Sequence, residues 1–215
     1  LIAVGRDMKV LLERKTSGLD VPIEVIPNWA ELETVGPKER TTNALLAELG
    51  LRDKFVFLYA GNLGYPNDVE TIVDSAEQLV ENEDIHFIFL GAGVKRPWLE
   101  KQVAERRLKN ITLLDPKPRS EQITFLNACD VALVSLVSKM RGVSMPSRTY
   151  NILAAGKPML VLTDDESELA FVIDEDKVGW HIEPGNAELF SKTVLEIAAV
   201  KSELPEMGKR SRQSA

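Results

Sequence analysis

From residue 55 onward, short apolar runs and helix-period segments alternate in strict succession, and few folds accept that pattern. Phe55-Val-Phe-Leu-Tyr-Ala60 is continuously apolar and stops at Gly61, as expected of a parallel strand covered on both faces. His86-Phe-Ile-Phe-Leu90 ends at Gly91-Ala-Gly93, and Ile111-Thr-Leu-Leu114 is a third strand. Val131–Leu136, Pro158–Leu162 and Gly179–Ile182 read as a fourth, fifth and sixth. Between them lie amphipathic segments. Pro66 is placed in a first helical turn ahead of the face Ile72, Val73, Ala76, Leu79 and Val80, and a charged helix is predicted over 95–106. Ser120 is assigned as a helix cap, Asp165-x-x-Glu168 as a capping box, and Asn186 as the cap of a last helix. The predicted fold class is α/β: a Rossmann-like, doubly wound parallel sheet of about six strands flanked by helices.

Composition narrows the partners. The 215 residues carry 26 Lys+Arg and 33 Asp+Glu, a formal charge of −7, and no basic stripe or basic amphipathic helix stands out. Nucleic acid is therefore not expected, and a small molecule or a protein is favoured. The one cysteine, Cys129, cannot form an internal disulfide and sits in an apolar context, so it reads as a core residue of a protein in a reducing, cytoplasmic compartment. No apolar run is long enough to span a bilayer. His86 and His181 have no neighbours at ligand spacing, so no metal is expected. Asp164-Asp-Glu166 suggests a cation only until the capping box accounts for part of it, and Lys139-Met-Arg141 reads either as an anion contact or as a solvated loop.

In such a sheet, ligands sit at the carboxyl ends of the strands near the switch in strand order. The turns there are Gly61-Asn-Leu-Gly64, Gly91-Ala-Gly93, Asp115-Pro-Lys-Pro118 and the long segment 137–146. Ser147, after Pro146, is a good N-cap, and the helix it opens would aim free N–H groups at an anion. Arg148 adds a planar fork suited to phosphate, and Asn151 shares the Ser147 face, where its amide could meet a ribose hydroxyl. A cap with a solvated arginine is the plain structural alternative, and this pattern alone leaves both open. Gly91-Ala-Gly93 with Asp115 raises a dinucleotide fingerprint, but Arg96 occupies the third glycine position, where it would crowd helix against sheet.

Taken together and in order, Ile26-Pro-Asn28, Tyr59-Ala-Gly-Asn-Leu-Gly64, Phe89-Leu-Gly-Ala-Gly93, Ala128-Cys-Asp-Val-Ala-Leu133, Pro146-Ser-Arg148 and Leu153-Ala-Ala-Gly-Lys-Pro158 resemble the C-terminal, donor-binding half of GT-B glycosyltransferases. The resemblance is to family 4, in its WbuB-like branch of bacterial polysaccharide and O-antigen enzymes. It implies a retaining sugar transfer from a nucleoside-diphosphate sugar, a UDP-sugar by preference, with no cofactor and no metal. It implies a donor site at Gly61, Asn62 and Gly64 near the diphosphate, Lys117 and Pro118 beside the base, Ser144, Met145 and Ser147 bordering sugar and phosphates, Arg148 on the phosphates and Asn151 on the ribose. Catalytic residues are not assigned. The family's two glutamates, with seven residues between them, are replaced here by Val143 and Asn151, and Asn62 stands where an arginine is common. The implied organisation is 1–20 as the end of an acceptor domain, 21–203 as the donor-binding domain and 204–215 as an exposed tail. An N-terminal acceptor domain of the same polypeptide would be the partner, and peripheral membrane association, at the inner face, would come through it. A GT-B sugar-nucleotide epimerase and an NAD-binding module are the alternatives.

Overall fold

The computed structural model describes all of residues 1–215. Strands β1 (Ile2–Ala3) and β2 (Glu24–Val25) form a small parallel pair around helix α1 (Arg6–Lys15). A linker leads to α2 (Ala44–Glu48), whose Asn43 cap accepts from the Leu46 N–H. The main unit then runs β3 (Phe55–Ala60), α3 (Glu70–Gln78), β4 (Ile85–Leu90), α4 (Arg96–Glu105), β5 (Ile111–Leu114) and α5 (Gln122–Leu126). Its second half is β6 (Val131–Ser135), α6 (Arg148–Ala154), β7 (Met159–Leu162), α7 (Glu168–Asp176), β8 (Gly179–Ile182), α8 (Ala187–Ala199) and α9 (Leu204–Ser214).

The six main strands are all parallel in the order β5-β4-β3-β6-β7-β8, the doubly wound arrangement expected from the sequence. The order reverses between β3 and β6, which opens a crevice at their carboxyl ends. Alternation along β3 shows how both faces are filled. Val56 and Leu58 pack with α2, α5, α6 and α7, while Phe57 and Tyr59 pack with α3, α4 and α8. Phe57 stacks on Phe87 with ring centroids 5.5 Å apart. Cys129 is fully buried, and burial pushes its thiol up to about 12.

Several local expectations are corrected. Helix α3 begins at Glu70 rather than at Pro66, because Asp68 accepts from the Thr71 N–H at 3.0 Å and starts the helix there. Ser120 lies in a 3-10 turn (Arg119–Glu121) and caps nothing. The capping box is not formed: Ser167 caps α7 by accepting from the Ala170 N–H, and the Glu168 carboxylate instead binds Arg6. Asp164 accepts the N–H groups of Lys139, Met140 and Arg141, so it organises a loop rather than a cation. Asn186 caps α8 as expected.

The tail is the largest correction. Residues Leu204–Ser214 form a helix, α9, with Leu204, Gly208 and Ser211 buried. Arg212 donates to the carbonyls of Val35 and Ala154, at 3.0 and 2.9 Å, which closes the C-terminal end of α6. Residues 1–20 also lie on the main unit. Arg6 spans Glu168 and Glu175 of α7 and covers the Phe171 ring, and Asp7 accepts from the Gly142 N–H at 2.8 Å. No helix is long and apolar enough to cross a membrane.

Candidate nucleotide-binding cleft

The crevice at the switch between β3 and β6 holds a cavity of about 600 Å³, and a smaller one of about 390 Å³ adjoins it. They share Gly61, Asn62, Ser147 and Arg148. A drug-sized or nucleotide-sized ligand fits a space of this order.

Arg148 is the centre of the arrangement. Its side chain folds over the turn after β3, with the guanidinium carbon 4.6 Å from the centroid of the Tyr59 ring. Nη2 donates to Asn67 Oδ1 at 2.8 Å. Gly61 has φ of +152° and carries the guanidinium directly above it; a Cβ there would come within 2.5 Å of Nη1. Tyr59 in turn donates from its hydroxyl to the Asn62 carbonyl at 2.7 Å, which fixes the same turn from below. Burial raises the Tyr59 pKa, and the Arg148 charge opposes that rise.

Ser147 occupies the N-cap position of α6 but does not cap it: its φ and ψ are helical and its side chain accepts no N–H. The expectation of a capping hydroxyl is therefore corrected. The backbone N–H groups of Ser147 and Arg148 donate to no protein acceptor, so they stand free for an anion. Helix α6 is only seven residues long, which leaves most of the positive potential to the Arg148 charge.

Of the remaining expected residues, Asn62 and Lys117 line the larger cavity and Ser144 lines the smaller. Lys117 pairs with Glu121 at 2.8 Å, and that hydrogen bond raises its pKa. Gly64 and Pro118 line neither space, although Lys117, next to Pro118, lines the larger one. Met145 is buried in the core, not beside a ligand. Asn151 lines the cavity, but its Oδ1 already accepts from the Glu31 N–H at 3.1 Å, leaving its NH₂ group and one lone pair of Oδ1.

Of the other lining residues, Asn28 belongs to the Ile26-Pro-Asn28 motif, while Trp29, Glu31, Arg119 and Gln122 carried no local signal. Asn28, Trp29 and Glu31 come from the linker, Arg119 from the 3-10 turn before α5, and Gln122 from the start of α5. Trp29 is 80% exposed at the rim. The linker is held there by buried Asn127, which accepts from the Lys38 N–H and donates to the Gly36 carbonyl. The segment 137–147 is held by Asp164 and Asp7. Arg141 pairs with Glu166 and so is not a free anion contact.

The glycines of Gly91-Ala-Gly93 serve packing. A Cβ on Gly91 would overlap the Gly61 carbonyl, and one on Gly93 would press on the Leu63 carbonyl, so the turns after β3 and β4 lie against each other. Arg96 does not crowd the helix. It extends to the Gly91 and Leu114 carbonyls at 2.9 and 2.8 Å, sealing the ends of β4 and β5. No group of three His, Cys, Asp or Glu residues able to hold a metal ion occurs.

Comparison with known proteins gives a consistent picture. The sequence model of the family described as "Glycosyl transferases group 1" matches residues 42–214. A probable glycosyltransferase from Pseudomonas aeruginosa, WbjE, is 33% identical over 197 residues, covering 92% of this chain and 49% of WbjE. The putative colanic acid biosynthesis glycosyl transferase WcaI of Escherichia coli is 28% identical over 145 residues, 66% of this chain and 35% of WcaI. The chain thus spans half or less of the length of these relatives. Among solved structures, sucrose-phosphate synthase from Thermosynechococcus elongatus superposes with a TM-score of 0.83 at 19% identity, over 99% of this chain and 52% of that one. Anabaena HepE, in complex with UDP, superposes with a TM-score of 0.83 at 14% identity, over 99% of this chain and 57% of HepE.

Proposed function

This chain belongs to the glycosyl transferases group 1 family, and from that premise we propose that it is the donor-binding half of a retaining GT-B enzyme using a UDP-sugar. The observation that carries this reading is the Arg148 guanidinium seated over Gly61, beside the free N–H groups of Ser147 and Arg148, where the two cavities meet. A diphosphate there receives a fixed, planar charge and backbone donors. The nucleoside lies in the larger space toward Lys117, Gln122 and Trp29. The donor sugar lies in the smaller one beside Ser144 and Asn67.

In this account, Arg148 stabilises charge that grows on the leaving diphosphate as the glycosidic bond breaks. Preorganised electrostatics of this kind is usually the largest contribution to catalysis when charge develops on a leaving group. No metal takes part. The reactive cleft is completed by an N-terminal acceptor domain of a longer polypeptide, which also brings the enzyme to the inner face of the membrane. The acceptor is a polysaccharide or lipid-linked sugar, in line with the colanic acid biosynthesis named for the relative WcaI. Residues 1–215 alone bind nucleotide without turnover.

Crystals grown with UDP test the placement. The reading expects the diphosphate within hydrogen-bond distance of Arg148 and of the Ser147 N–H. A diphosphate against Gly91-Ala-Gly93 would replace it with a dinucleotide-type site. Sugar transfer by residues 1–215 alone would contradict the need for a second half.

A further inference from the structure

We propose that Glu31, on the linker, is the acceptor for the ribose hydroxyls of the bound nucleotide. This rests on the reading of the cleft as a nucleotide site and adds a residue to it. Glu31 is the one carboxylate among the residues lining the larger cavity, against the three cations Lys117, Arg119 and Arg148. A vicinal diol offers two O–H donors, and an ionised carboxylate is an acceptor-only group with two oxygens to receive them. Asn151, on the same wall, is the weaker acceptor, being neutral and with its one acceptor oxygen already receiving the Glu31 N–H. Asn151 stands about one helical turn beyond Arg148 on α6, and that same bond holds the Glu31 backbone against it.

The Glu31 carboxylate is paired with Arg119, whose Nε donates to Oε2 at 3.0 Å and whose Nη2 meets Oε1, and Oε2 lies 3.4 Å from the Thr34 hydroxyl. Arg119 is 72% exposed and pairs with both carboxylate oxygens, each of which keeps a further lone pair for a ligand hydroxyl. Asn151 thus acts as a positioning residue. It fixes the linker, and the linker delivers the charge that helix α6 lacks.

The test is calorimetric titration of the 215-residue chain with UDP and with 2′,3′-dideoxy-UDP. Wild type is expected to bind UDP about tenfold or more tightly than the dideoxy form, the usual worth of hydrogen bonds to a charged group. Glu31→Gln keeps the backbone N–H to Asn151, and is expected to narrow that ratio to about threefold or less. Arg119→Ala removes the ion pair but not the carboxylate, and is expected to keep a larger preference than Glu31→Gln does. An unchanged ratio in Glu31→Gln would overturn the assignment. So would UDP binding by wild type with no preference over the dideoxy form, or equal collapse in both variants. A wild-type chain that binds no UDP would instead contradict the nucleotide site on which the assignment rests.

Discussion

The Arg148 guanidinium lies 4.6 Å from the centroid of the Tyr59 ring, while the Tyr59 hydroxyl donates to the Asn62 carbonyl. One buried aromatic side chain therefore supports both the cation and the turn that face the cleft. Tyr59→Phe keeps the ring beneath Arg148 but releases Asn62. It is expected to weaken UDP binding about three- to tenfold, the worth of one hydrogen bond, with the far-UV circular dichroism unchanged. Equal UDP affinity in the two proteins would show that the Asn62 turn needs no such support.

The turns after β3 and β4 are in van der Waals contact through glycine. A methyl group on Gly91 would overlap the Gly61 carbonyl, and at φ of +152° no other residue is comfortable. Gly91→Ala is expected to cost about 2–4 kcal/mol in denaturant unfolding. Gly185→Ala, at φ of +86° but with nothing nearby, carries backbone strain only and should cost less.

Helix α9 is part of the fold rather than a tail. Gly208 touches the Gly156 carbonyl, and Arg212 closes the end of α6. Deleting 204–215 is expected to lower the unfolding free energy by several kcal/mol, roughly the loss of buried Leu204 plus the uncovered carbonyls. A deletion variant with unchanged thermal midpoint would contradict this packing.

His86 is buried on β4 beside Thr112, with Nε2 and Oγ1 2.8 Å apart, and burial lowers its pKa to about 4. The unfolded chain protonates near the ordinary 6.5, so it binds more protons than the folded chain between these values. Stability is then fully present above about pH 6.5 and falls as the pH drops toward 4, by on the order of 3 kcal/mol in total. His86→Gln should flatten the unfolding free energy over this window. An equal slope in the variant would assign the acid sensitivity to other groups.

Which parts of the site could be read in the chain follows from the range of the interactions. Strand β3 shows itself because six apolar residues end on a glycine, and a run covered on both faces needs no distant information. Arg148 is legible for a similar reason, since Pro146-Ser-Arg follows directly on the loop after β6. Glu31 and Arg119 are not. They meet across 88 residues, and Glu31 meets Asn151 across 120. Each looks by itself like a solvated surface charge. The caps fail for a related reason. Ser147 has the composition of a cap, and Asp165-x-x-Glu168 that of a capping box. Yet Ser147 takes helical dihedrals and caps nothing, and Arg6 drew Glu168 away over 162 residues. Helix α9 escaped notice because its buried face uses Leu204, Gly208 and Ser211, two of them small and polar or featureless, within a run of basic residues.

The central claim is that the cleft around Arg148 binds a nucleoside diphosphate. Calorimetric titration of residues 1–215 with UDP, beside NADH and beside the Arg148→Ala variant, tests it most directly. The account predicts measurable UDP binding, weaker or absent NADH binding, and a loss of about tenfold or more in UDP affinity when the charged fork is removed. No UDP binding at millimolar concentration, or UDP affinity unchanged in Arg148→Ala, would contradict it.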